Sequence, residues 1–264
     1  MKNNRYLPEK ILIFDLKGPF AHFRKYYTNS SSLTYLMPPR TVLAGLTGGI
    51  LGLPSERHPS EGLPVFYEIF SPGRSFFSVA LHTPVRKMMQ TVNYLFAKTS
   101  GSRIEFSKHA QIPIEILAPM EGDELVYRIF FGHEDEEVMT RLEEKLKNAE
   151  IEFPPYLGLT EFIGRTDLIG TGKVEAMTPS SGFTEVDGIV KADYVEKLNN
   201  EDGQRYVVES MPVYFSGLRN PHPPEDYLTE ASGKRIRVQL KPDSPLLGVE
   251  MEGIEGGKYH ILPM

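Results

Sequence analysis

The side chains best suited to chemistry on an anion are unevenly spread along this chain. The 40 residues between Asp15 and Glu56 contain no Asp or Glu, yet they hold Lys17, Arg24, Lys25 and Arg40, with Tyr26 and Tyr27 among them. A second acid-free run, between Glu68 and Glu105, carries Arg86, Lys87, Lys98 and Arg103 together with Met88 and Met89. Cations neutralise phosphates and aromatic rings stack on unpaired bases, so both runs suit a single-stranded nucleic acid. Lys108 and His109 follow the second run. Metal-free RNA cleavage needs a base, a cation and a positioned 2′-hydroxyl. Lys108, His109 and the tyrosines Tyr26 and Tyr27 could supply these, although a lone Lys-His pair also suits a solvated strand edge.

Other chemistries find less support. The seven histidines are scattered singly, and there is no cysteine for a thiolate metal site, a disulfide or a nucleophile. Gly170-Thr171-Gly172-Lys173 is followed by Val174 and lacks phosphate-loop spacing, and no GxSxG is present. No metal and no cofactor is expected. The 264 residues suffice for one large or two small domains, and 40% hydrophobic with 24% charged residues is ordinary for a soluble protein. No apolar run reaches the length of a spanning helix, so a soluble, cytoplasmic protein with no membrane contact is expected. The net charge of −6 divides unequally, +7 over residues 1–120 and −13 over residues 121–264. Such a split points to a polyanion-facing side and a solvent- or protein-facing side, with uneven solvation as the alternative.

The elements that would position these residues can be read in order. Residues 10–17 form a short apolar strand, and residues 18–37 a loop broken by Gly18, Pro19 and the Asn29–Ser32 run. Pro38-Pro39 opens a helix with Val42, Leu43, Leu46, Ile50 and Leu51 near helical spacing. Its four glycines imply close packing against a sheet, since each costs about 1 kcal/mol relative to alanine in a helix interior. Strands are expected at 75–81, 112–117 and 125–131, with a projecting basic arm inserted at about 83–111. Residues 134–149 read as a helix, acidic first and basic last, with Val138, Leu142, Leu146 and Ala149 as its apolar stripe. A loop over 154–172 leads to a strand at 173–177. The order strand, helix, strand, arm, strand, helix, strand predicts an α+β fold. Its core is a ferredoxin-like, RRM-like βαββαβ domain over 1–178, followed by a smaller β-rich domain over 179–264.

The segment FDLKGPFAHFRKYYTNSSSLTYLMPPRTVLAGLTGGILG, Phe14 to Gly52, resembles the N-terminal signature of the CRISPR-associated Cas-five family of the RAMP superfamily. PPYLGLTEFIG, residues 154–164, resembles that family's segment before its fourth core strand, and the long C-terminal region is similar to the type I-B (Hmari-like) subgroup. The resemblance implies a non-catalytic subunit of a type I Cascade surveillance complex in antiviral defence. Its partners would be CRISPR RNA, gripped at the 5′ handle, the Cas-seven backbone subunit and the Cas-eight large subunit. Carried onto matching positions, it implies handle contacts by Arg24, Lys25, Tyr26, Tyr27 and Arg40. In the thumb-like arm it implies Arg86, Lys87, Met88, Lys98 and Arg103, while Phe23 and Tyr35 are expected in the core. One branch of the family, in type I-C systems, cuts precursor CRISPR RNA with Tyr, Lys and His. Tyr26, Lys108 and His109 are therefore the alternative, catalytic set of a metal-independent endoribonuclease. A third reading is a scaffold whose basic half meets protein acids.

Overall fold

Branched apolar residues in a short run favour a strand buried on both sides, and the first strand, β1 (Lys10–Gly18), has that form. The computed structural model describes residues 5–29, 31–100, 103–199, 203–217, 219–252 and 257–264, and the side chains of 96–108 fall outside that description. After β1 come helix α1 (Arg40–Leu51) and strand β2 (Ser75–Leu81). The arm follows as β3 (Val85–Ser100) and β4 (Arg103–Pro119). Then come β5 (Leu125–His133), helix α2 (Glu136–Asn148) and β6 (Arg165–Met177). Further on, β7 (Tyr206–Met211) pairs antiparallel with β8 (Glu225–Glu230). The last strands are β9 (Leu246–Met251) and β10 (Lys258–Ile261).

Among the described residues the largest sheet runs β10-β9-β6-β1-β5-β2, with β1 antiparallel to both β5 and β6. Alternation along β1 fills two cores. Leu12, Phe14 and Leu16 point to the helices, where they join Leu43, Ile50, Leu142 and Leu146. Ile11 and Ile13 point the other way, to Phe76, Phe130, Val249 and Ile261. No bare sheet face is left at β1 on which bases could stack in the manner of an RNA-recognition module.

The helices form for local reasons. Pro39 caps α1, and Gly52, at φ +67°, ends it in the left-handed conformation that glycine tolerates best. A Cβ on Gly48 would lie 2.8 Å from Phe66 Cβ, so the glycines admit the short helix Phe66–Ile69 rather than the sheet. In α2 the Asp135 carboxylate accepts the Glu137 amide at 2.9 Å, a cap worth about 1 kcal/mol. Its buried stripe is Met139, Leu142 and Leu146, with Val138 half-buried, whereas Ala149 leaves the helix as its left-handed cap.

Three expectations need correcting. Residues 112–117 are not a separate core strand but the inner half of β4, so the arm is the hairpin Val85–Pro119. The strand expected at 173–177 begins at Arg165, because its earlier residues pair with β1 through a bulge after Ile13. The residues after 178 do not stand apart: β9 pairs with β6, and β10 with β9, extending the first sheet. The intervening residues make two small three-stranded sheets, and Tyr227 and Met211 enter the same core as β1.

Candidate nucleic-acid interface

The turn of residues 18–37 is held by two other segments. Ala21 and Leu117 exchange backbone hydrogen bonds at 3.1 and 2.9 Å, and Ser32 does the same for β4 through Pro113 and Glu115, both at 2.8 Å. The turn thus pairs edge-on with the arm. Its other side meets residues 154–164: the His22 amide donates to Leu157 O at 2.9 Å, and Gly158, at φ +94°, lies so close to His22 O that a Cβ would clash.

Side chains lock the joint. His22 is buried, with Nδ1 2.7 Å from Glu115 O and Nε2 2.8 Å from Ser32 Oγ. A carbonyl only accepts, so Nδ1 carries the hydrogen and the neutral ring accepts from the Ser32 hydroxyl at Nε2. Burial lowers the His22 pKa, with the Arg24 cation acting in the same direction against the Glu115 carbonyl. The Glu115 carboxylate accepts the Thr34 amide at 3.0 Å and lies 3.3 Å from Lys87 Nζ, which also donates to Thr34 O at 3.1 Å. Thr34 and Lys87, 53 residues apart and in different acid-free runs, are brought together in this way.

Within that surface the expected residues differ. Arg24 is exposed and its only hydrogen bond among the described contacts is a long one, 3.4 Å, to Thr28 O. Tyr26 and Tyr27 are 58% and 52% exposed and meet edge-to-face, with centroids 5.2 Å apart. Lys25 is turned inward, its Nζ 2.7 Å from the buried Glu209 carboxylate of β7. Burial alone would lower the Lys25 pKa, but the Glu209 contact raises it above its ordinary value. On the arm Arg86 is exposed, Lys87 is exposed but engaged with Glu115, and Met88 is half-buried while Met89 is open. The side chains of Lys98 and Arg103 lie outside the described residues.

Arg40 is the clear correction. It is wholly buried, donating to Phe70 O and Ser75 O at 3.0 Å, to Ser75 Oγ at 2.8 Å and to Val213 O at 3.4 Å. Desolvation pulls its pKa down to about 9. Its guanidinium ties α1 to β2 and to the C-terminal residues, and no surface ligand reaches it. Phe23 and Tyr35 are buried as expected, and Tyr35 donates its hydroxyl to Ser210 O at 2.9 Å.

His109 is exposed on β4, opposite Leu95, six residues beyond the Glu115 position where the turn docks, about 20 Å along a strand. The Lys108 side chain is outside the described residues, and Tyr26 belongs to the turn at the arm's base. Sequence reasoning missed the fasteners His22, Ser32, Glu115 and Glu209, because each acts across a large sequence separation. It also missed Tyr94, 46% exposed on β3 within the second acid-free run, whose aromatic ring was the available signal. Among the described residues no cluster of His, Asp and Glu could hold a metal ion, and no helix is long and apolar enough to cross a membrane.

Comparison with solved structures adds the fold. The fold resembles that of a CRISPR protein from Archaeoglobus fulgidus. That similarity has a TM-score of 0.52 at 12% identity and covers 97% of this chain and all of the other. A chain of a CRISPR RNA-guided surveillance complex is similar at TM-score 0.48 and 12% identity, over 89% of this chain and 95% of that one. No family model and no curated protein matches the chain.

Proposed function

We propose that this chain is a non-catalytic RNA-binding subunit of a CRISPR effector complex, of the Cas-five kind, that grips the 5′ handle of the CRISPR RNA. The observation that carries the proposal is the joining of the Arg24–Tyr27 turn to the base of the arm. It sets the exposed Arg24, Tyr26 and Tyr27 beside an arm whose other strand carries exposed Arg86 and Met89 at its base and Tyr94 further out. Arg24 and Arg86 take phosphates, Tyr26 and Tyr27 offer rings to unstacked bases, and Tyr94, about 17 Å further along the arm, offers another. The ferredoxin-like RAMP reading is supported by the order β6-β1-β5-β2, with α1 between β1 and β2 and α2 between β5 and β6. The type I-B assignment and the Cas-seven and Cas-eight neighbours rest on the sequence resemblance. Exposed Tyr156 and Ile163, paired across the 154–164 segment, are in keeping with a surface that a protein neighbour covers.

The test is incubation of the protein with labelled repeat RNA in EDTA, split between a native and a denaturing gel. The expected result is a shifted, uncut RNA, with the shift lost in the Arg24→Ala/Arg86→Ala double variant. A discrete product that disappears in His109→Ala would replace this reading with that of a processing nuclease.

A further inference from the structure

A cavity of about 200 Å³ lies beside the arm's root. Met37, Leu81 and Ile189 give it apolar lining, and His82 and Tyr259 also line it. The chain leaving β2 for the arm forms one side: Gly233, at φ +75°, packs against the His82 carbonyl and the Thr83 amide, and Val85 donates to Ala231 O at 3.0 Å.

Charge and size limit what could enter. The carboxylates on the wall are already satisfied. Asp187 accepts from Arg235 Nε and the His260 amide, both at 2.8 Å. Glu230 accepts the backbone amides of Arg205, Ser232 and Lys234 at 2.8–2.9 Å. Lys234 and Arg235 balance Asp187 and Glu230, so the wall has no formal net charge and selects neither a simple anion nor a metal cation. An apolar cavity of roughly 150 Å³ admits a benzene-sized ring, so this one has room for a single heterocycle and not for a whole nucleotide. The His82 ring has no hydrogen-bonding partner among the described residues. Partial desolvation and the nearby Arg128 and Arg235 cations lower its pKa, against the Asp15 carboxylate, so the neutral ring has one donor and one acceptor nitrogen. Either ring nitrogen can thus make one hydrogen bond, as donor or as acceptor, to a polar edge of a nucleobase.

We infer that this cavity binds one unstacked nucleobase, and that His82 reads its polar edge beside the Met37–Leu81–Ile189 lining. The source of the base as a nucleotide of the bound strand rests on the proposed RNA-binding function; the chemistry of the cavity does not. Such a site lies against the residues that launch the arm, so filling it would couple base capture to the arm's placement.

The experiment follows the His82 ring signals by NMR in the full-length protein. Adenosine, guanosine, cytidine and uridine are titrated in turn, with ribose 5-phosphate as the control and single-stranded repeat RNA last. The expected result is a saturable shift of His82 with at least one nucleoside, none with ribose 5-phosphate, and the same shift with the RNA. The thermal stabilisation by that nucleoside should be lost in His82→Phe. No shift with any nucleoside, or an equal shift with ribose 5-phosphate, overturns the base site. Nucleosides that shift His82 while RNA, bound by native gel, does not would overturn the strand as the source of the base. Nucleosides that shift it while the native gel shows no RNA binding would instead count against the proposed function.

Discussion

The Arg24–Tyr27 turn and the Arg40 helix start belong to one acid-free stretch, yet they present opposite chemistry. In the turn, Arg24, Tyr26 and Tyr27 face solvent, and backbone pairing to β4 and to Leu157 holds the loop from behind. At the helix start the same residue type is enclosed, and Arg40 spends its donors on the carbonyls of Phe70, Val213 and Ser75. Lack of neighbouring acids therefore has two causes: an open cation is kept free for a ligand, while a buried one is neutralised by carbonyl dipoles. Only packing separates them, since desolvating a guanidinium is tolerated where several acceptors converge on it.

This contrast can be broken from either side. The largest effect should come from Arg40→Ala, which leaves several buried carbonyls without a donor and opens a cavity. A loss of about 4 kcal/mol is expected in denaturant unfolding, and Arg40→Lys should recover little of it because one ammonium cannot span the same acceptors. Next in size is Glu115→Ala, which releases the Thr34 amide and Lys87 and loosens the turn from the arm. About 1–3 kcal/mol of stability should go, together with RNA affinity, as read by unfolding and by anisotropy. Arg24→Ala/Arg86→Ala should do the reverse of Arg40→Ala. Stability should stay within about 0.5 kcal/mol, while RNA affinity falls and the slope of log affinity against log salt drops by roughly 1.5.

The smallest effect concerns pH. His22, His82 and His133 all have lowered pKa values in the folded chain, with burial the leading cause in each. The unfolded chain takes up protons near its ordinary histidine pKa of about 6.5, before the folded one does. Stability is therefore fully present above that pH and declines as pH falls through it towards the folded values. A melting temperature that drops between pH 7 and pH 5.5, less so in His22→Gln, is the expected outcome. An unchanged or rising melting temperature would contradict it.

Much of the scaffold was legible from local patterns. The apolar run of β1, the double proline before α1, the charge order of α2 and the excess length between β2 and β5 are all short-range signals, and each marks an element the structure contains. What was not legible depends on distant partners. The inner part of β4 reads as a core strand because its apolar residues alternate. It is an arm strand because Ala21 and Ser32, some 80–95 residues earlier, occupy its edge. Likewise Lys25 reads as an open cation until Glu209 closes on it. The return of β9 and β10 to the first sheet left no local mark, since an edge strand added late carries the same alternation as one in a separate sheet.

The central claim is that the turn and the arm's base form one RNA-binding face. Its most direct test is ultraviolet crosslinking of single-stranded repeat RNA to the protein, with the crosslinked peptides mapped by mass spectrometry. The account predicts adducts on the Tyr26–Tyr27 turn and on β3 near Tyr94, both weakened together in Glu115→Ala. Adducts confined to α2 or to residues 179–264, with none on the turn, would contradict it.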